Sequence, residues 1–216
     1  MTTSHSNETV SSLTHFIATL LSIAGLAVLV TLAALKGTAA HVIGFSIFGG
    51  ALVLLYLAST VYHFLSRSHP AKDVFQIIDH SMIYLLIAGT YTPLTLIVLP
   101  AAWGWSMFGV IWGLALLGIL VKAMKFRLHN AVSTSFYLLM GWLIVIAIKP
   151  LQDSVPAGGV FWLVAGGIFY TIGTIFYGLT EPPFPTRWYT YHDVFHVFVM
   201  LGSFSHFWFM FTYVLP

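Results

Sequence analysis

HVIGFSIFGGALVLLYLASTVYHF, residues His41 to Phe64, decides the fold, because it contains no Lys, Arg, Asp or Glu from one end to the other. A helix must cover about 30 Å of hydrocarbon at ~1.5 Å per residue, so a span needs roughly 20 mostly apolar residues. Six further stretches meet that length: Leu13 to Leu35, Phe75 to Leu99, Trp103 to Val121, Ala131 to Ile148, Val160 to Leu179 and Tyr191 to Val214. The breaks between spans hold turn-formers and charges, at Lys36-Gly37, Ser66 to Lys72, Leu99-Pro100, Lys122 to Asn130, Lys149 to Gly159 and Glu181 to Arg187. Connections this short make neighbouring helices antiparallel. The expected fold is therefore all-α, a polytopic membrane protein with a seven-helix transmembrane bundle over residues 13–216. Residues 1–12 are expected as a short cytoplasmic N-terminal segment.

Composition agrees. Of 216 residues, 59% are apolar and 6% charged, against about 25% charged in an ordinary soluble domain. So few charges cannot cover a globular surface. The net charge of +2 points to neither a nucleic acid nor an acidic partner. With no cysteine in the chain, disulfides, thiolate metal sites and cysteine nucleophiles are all excluded, and any metal must be held by His, Asp or Glu. Met1 to Ser12 has no Lys or Arg, and the apolar run that follows is too long for a secretory signal, so the first span is expected to be retained.

Short loops rich in Lys and Arg stay on the cytoplasmic side. With the N-terminus inside, Arg67, Lys72, Lys122, Lys125, Arg127 and Arg187 fall on inner loops, and Lys36 and Lys149 on outer ones. Trp103, Trp105, Trp188 and Tyr189 sit where interfacial anchors are expected. Pro93 is expected to kink the third span, with Gly89 leaving room one turn earlier.

Ionisable groups within spans are costly and usually mark a working site. Here they are His15, His41, His63, Asp79, His80, His192, Asp193, His196 and His206. The topology brings several to one depth: His63 ends the second span, Asp79 and His80 open the third, and His192 and His196 occupy the first turns of the seventh. His192 and His196 are i and i+4, so they share a helix face and could share a metal. Ser59 stands i−4 to His63 and places a hydroxyl beside that imidazole. Three imidazoles and a water would make a tetrahedral zinc site with one open position. His15 could reach the same pocket. His206 is too deep for that metal, His41 is interfacial, and Asp193 points about a hundred degrees from His192, suiting a role behind the ligands or as N-terminal helix charge.

The order S-x-x-x-H (Ser59 to His63), D-H-S (Asp79 to Ser81), A-G-T-Y-T-P (Ala88 to Pro93) and H-x-x-x-H (His192 to His196) resembles the bacterial hemolysin III family. So do Thr14-His15, Met140-Gly141-Trp142, and Leu201-Gly202-Ser203 with His206. That family belongs to the progestin and adipoQ receptor superfamily and is more distantly related to alkaline ceramidases. The resemblance implies a zinc ion ligated by His63, His192 and His196, with a water held by Asp79 and Ser59, and with His80, Asp193 and His15 behind them. It also implies a multi-pass protein of the bacterial inner membrane, with the site toward the cytoplasm. Asp193 departs from the small or apolar residues of relatives.

Zinc chemistry beside lipid suggests hydrolysis of an acyl amide or ester, ceramidase-like by analogy, with membrane lipids as partners and a role in lipid homeostasis. A non-enzymatic sensor or receptor with a structural zinc is the second class. A cytolysin is disfavoured because no span has a polar face. A retinal protein is disfavoured because no lysine lies at mid-membrane, and the third histidine and Asp79 favour zinc over haem.

Overall fold

The computed structural model describes residues 8–124, 130–179 and 190–216. Lys125, Arg127, Arg187, Trp188 and Tyr189 lie outside the described residues. Among the described residues eight α-helices follow one another: α1 (Glu8–Lys36), α2 (Ala39–Phe64), α3 (Lys72–Pro93), α4 (Ala101–Ala123), α5 (Asn130–Gly141), α6 (Ile148–Ser154), α7 (Ala157–Gly178) and α8 (Tyr191–Phe209). With α5 and α6 counted as one interrupted span, seven helical spans among the described residues are long and apolar enough to cross a membrane. No strand occurs among the described residues. Hydrocarbon offers no partner to a backbone N–H or C=O, so a spanning chain must satisfy them internally, as a helix does.

The first helix begins at Glu8, ahead of the expected Leu13, so residues 8–12 leave the expected N-terminal segment and join the bundle. Their polarity hides their burial. Ser11 and Ser12 are both buried; the Ser11 hydroxyl donates to Asp193 Oδ1 at 2.6 Å and Ser12 to the Thr60 carbonyl at 3.2 Å. Glu8 accepts from Lys72 Nζ at 2.5 Å. The same ammonium donates to the carbonyls of Tyr62 and Leu65 at 2.6 and 3.0 Å, satisfying the open C-terminal end of α2. At the opposite end of α2, His41 Nδ1 accepts the Thr38 N–H at 3.2 Å and so closes the helix start.

Two spans depart from regular helix. The third does not simply kink at Pro93: α3 ends there and a π-helical turn, Leu94–Val98, continues it, with Leu99 N donating to Leu94 O at 2.9 Å. Proline removes one N–H and crowds the preceding turn, and a wider turn relieves that crowding. Gly89 leaves room where expected: a Cβ there would lie 2.7 Å from the Ala51 Cβ, so α2 and α3 approach closely.

The fifth span was expected as one helix, Ala131 to Ile148. Instead a 3₁₀ stretch, Trp142–Ala147, separates α5 from α6. Tyr91 of α3 bridges the break: its hydroxyl donates to Gly141 O at 2.9 Å and accepts from Ile144 N at 2.8 Å. A side chain inserted in the ladder replaces the bonds the break gives up. Pro150 falls in the first turn of α6, where a missing N–H has no intrahelical partner to lose.

Helices α1, α2, α3 and α4 pack in sequence, α7 packs on α8, and α8 returns against α1 to close the bundle. The start of α1, the end of α2 and the starts of α3 and α8 thereby meet at one end.

Candidate metal centre

That end collects the chemistry. His63 occupies the last turn of α2, while His192 and His196 project from the first two turns of α8. One ring nitrogen from each lies within 4.8 Å of the other two, a group that could hold a metal ion. The Nε2 atoms of His63 and His192 are 3.2 Å apart, and His196 closes the triangle with ring centroids 4.9 Å from His63 and 4.6 Å from His192. Two imidazole nitrogens this close either share a proton or turn their lone pairs on a common cation. Nδ1 of His63 and of His196 is buried without a hydrogen-bond partner. Three nitrogen donors, with neither thiolate nor carboxylate among them, suit the imidazole-binding transition metals. The residues fit a metal.

The local sequence builds this arrangement at the start of α8. Thr190 is the N-cap; its hydroxyl accepts from Asp193 N at 3.2 Å, and its own N–H and hydroxyl donate to Asp193 Oδ2 at 2.7 and 2.8 Å. This reciprocal capping box fixes the first turn. The other Asp193 oxygen accepts from Ser11, pinning that turn to α1. Asp193 thus combines the expected helix N-terminal role with a tie to the first helix.

A cavity of about 200 Å³ begins at the cluster, with His192, His196, Ser59, Asp79, His80 and His15 in its wall. Ser59 is buried, whereas Asp79 retains accessible surface because it faces this space. The Ser59 and Asp79 side chains interact across α2 and α3. His15 is 3% exposed and stacks on His196. His80 lines the cavity, and its backbone carbonyl accepts from the Tyr137 hydroxyl at 3.1 Å. His41 caps α2 at the far end, and His206 lies deep in the bundle against the Leu163 carbonyl.

The cavity extends along α3 from Asp79 to Leu94, about 22 Å at ~1.5 Å per residue. Its long walls are apolar, supplied by Ile83, Leu86, Ile87, Leu138 and Val199 among others. Sequence reasoning missed two neighbours of the site. Ser11 was hidden in a polar N-terminus. Tyr177 of α7 has its ring 6.1 Å from that of His192 and lines the same space, yet a tyrosine near a span end reads as an interfacial anchor.

These features define a class: a seven-helix membrane protein with a three-histidine cluster able to bind metal, at the head of an internal cavity. Residues 3–207 match the family described as Haemolysin-III related. The chain belongs to that family. It is 43% identical over 210 residues to a Bacillus cereus protein named Hemolysin-3, covering 97% of this chain and 92% of the relative. The Hemolysin-3 homolog of Bacillus subtilis is 43% identical over 196 residues, covering 91% of this chain and 89% of that protein. A weaker likeness, 26% over 172 residues, reaches the human monocyte to macrophage differentiation factor, with 78% of this chain and 69% of the relative covered. That similarity extends to the wider superfamily the motifs imply.

Proposed function

We propose that this protein is a zinc-dependent hydrolase of acyl amide or ester bonds in membrane lipids, ceramidase-like in its chemistry, serving lipid homeostasis in the bacterial inner membrane. One observation carries the reading: the histidine cluster and Asp79 stand at the head of a long cavity whose walls are mainly apolar. An acyl chain fits such a space, since apolar walls with few placed polar groups suit an apolar ligand. The carbonyl end of that chain would then lie beside Asp79 and Ser59.

A zinc ion held by His63, His192 and His196 would supply Lewis acidity to a water and to the substrate carbonyl. Asp79 holds the water by accepting a hydrogen bond from it, and Ser59 orients the Asp79 carboxylate. As the water oxygen adds to the carbonyl carbon, Asp79 takes its proton. It then delivers that proton to the departing nitrogen or oxygen, so that a carboxylic acid and an amine or alcohol are released. The dry bundle keeps competing water away from the pocket. The excess of Lys and Arg on the loops at this end supports a site facing the cytoplasm.

A second reading has a specific observation behind it. The three histidines come from two different helices, so a metal there would also tie α2 to α8, as a structural ion in a sensor or receptor would. Purified protein, loaded with zinc, is assayed against a panel of acyl amides and esters, alongside Asp79→Asn. Hydrolysis requires turnover in the wild type and a loss of at least about a hundredfold in the variant at unchanged zinc content. Zinc-loaded protein that releases no acyl group from the panel sinks the enzymatic reading. If His196→Ala then unfolds the protein while Asp79→Asn is silent, the structural reading takes its place.

A further inference from the structure

At the metal-centre end of the bundle, one basic side chain stands apart from the network that satisfies its neighbours. Arg67 and Lys72 both meet Glu8. Lys122, in the last turn of α4, is half-buried and has no carboxylate within ion-pair distance among the described residues. Its Nζ donates to Ser133 Oγ at 3.0 Å. An ammonium has three protons to give and a hydroxyl carries no charge, so this bond leaves the cation uncompensated. Having accepted from Lys122, the Ser133 hydroxyl still has its own proton to give, and it meets no acceptor among the described residues. Two neighbouring donors, one of them charged, suit a phosphate oxygen.

The space beside this pair is shaped for a chain. Although α4 and α5 are consecutive, they make few direct contacts with each other. A groove of about 510 Å³ runs between them. Leu117 and Val121 of α4 and Val132, Phe136 and Leu139 of α5 form its sides, with Tyr84 of α3 as its floor. Gly118 brings that floor close, since a Cβ there would lie 2.5 Å from the Tyr84 ring. Leu117, Val132 and Leu139 are each more than half exposed, so the sides open outward, to hydrocarbon in a membrane.

Polar and apolar parts follow one another in a lipid's order. Ser133 lines the groove, and Lys122 adjoins Val121 at the same end. That is the end of the span, where headgroups meet water. From Val132 to Leu139 the groove then follows α5 for about 10 Å toward the middle of the bundle. No residue lines both this groove and the metal-centre cavity.

We propose that the α4–α5 groove binds an anionic phospholipid of the leaflet on the metal-centre side, its phosphate on Lys122 and Ser133 and one acyl chain between Leu117 and Leu139. Basic pockets between membrane helices select such headgroups. A zwitterionic lipid brings its own cation, which competes with Lys122 for the phosphate, so net negative charge is favoured. The site stands apart from the hydrolase reading and does not depend on it.

The test is native mass spectrometry of the purified whole chain released from detergent in the presence of short-chain lipids. Dioctanoyl phosphatidylglycerol should bind at about one-fifth the concentration that dioctanoyl phosphatidylcholine requires, the preference expected of one basic side chain. Lys122→Gln should abolish that preference, and Lys122→Arg, which keeps the charge, should retain it. Inorganic phosphate in about tenfold excess should not displace the phosphatidylglycerol, because it has no chain for the groove. A phosphatidylglycerol with a photoreactive diazirine on its acyl chain should label residues 117–121 and 132–139. Equal binding of the two lipids, or label confined to other helices, overturns the proposal. Displacement by phosphate also overturns it, in favour of a site for a free anion. If Lys122→Gln fails to fold, the wild-type lipid ratio and the label map still decide the matter.

Discussion

The imidazole of His15 lies flat on that of His196, with ring centroids 3.6 Å apart and planes 11° from parallel. Both His15 nitrogens are buried without hydrogen-bond partners, so the ring works as a plate, held edge-on by Tyr56 at 5.0 Å. A ligand ring fixed by packing loses less freedom when it binds a metal, and supporting groups of this kind typically shift affinity by about 10–100-fold. If the cluster holds the proposed zinc, His15→Ala should weaken its binding about tenfold in competition with a chelator. His15→Phe, which restores the plate, should bind within a few-fold of wild type. An alanine variant with unaltered affinity would remove His15 from any supporting role.

Asp193 tests the other support. Its carboxylate caps α8 and accepts from buried Ser11, so Asp193→Ala loses a cap worth about 1 kcal/mol and strands the Ser11 hydroxyl. Together these should destabilise the protein by about 2 kcal/mol. Ser11→Ala should cost less, because Asp193 keeps both Thr190 bonds. Thermal unfolding in detergent gives the order, and Ser11→Ala falling below Asp193→Ala would contradict it.

The spans were legible because hydropathy over twenty residues is a local property. The three histidines were legible because helix ends of known direction put them at one depth, and i, i+4 spacing put two on one face. What stayed hidden depended on partners distant in sequence. Ser11 and Ser12 look like an exposed N-terminus until Asp193 and Thr60 meet them. Position in the first turn of α8 suggested a helix N-terminal role for Asp193, but no spacing rule names Ser11 as its partner. The break in the fifth span likewise meets a partner on α3, Tyr91.

Tyr91 makes that last point testable. Its hydroxyl serves both Gly141 O and Ile144 N, so Tyr91→Phe leaves a carbonyl and an amide unpaired inside the bundle. The expected cost is about 1–3 kcal/mol. It should appear locally, as faster hydrogen exchange through Trp142–Ala147 with little change in α2. Unchanged exchange there would mean that the 3₁₀ stretch needs no help from Tyr91.

Orientation can be settled with two substitutions, since the chain has no cysteine to remove. Ser68 lies exposed between α2 and α3, at the metal-centre end, and Ser154 lies exposed at the end of α6, on the opposite side of the span. If the six Lys and Arg assigned to inner loops, against two outside, orient the bundle, Ser68 is cytoplasmic. A membrane-impermeant maleimide added to spheroplasts should therefore label Ser154→Cys at once, and Ser68→Cys only after lysis. The reverse pattern would turn the metal centre outward. It would also mean that loop charge fails to orient this bundle, leaving the proposed reaction to draw its water from the outer side of the membrane.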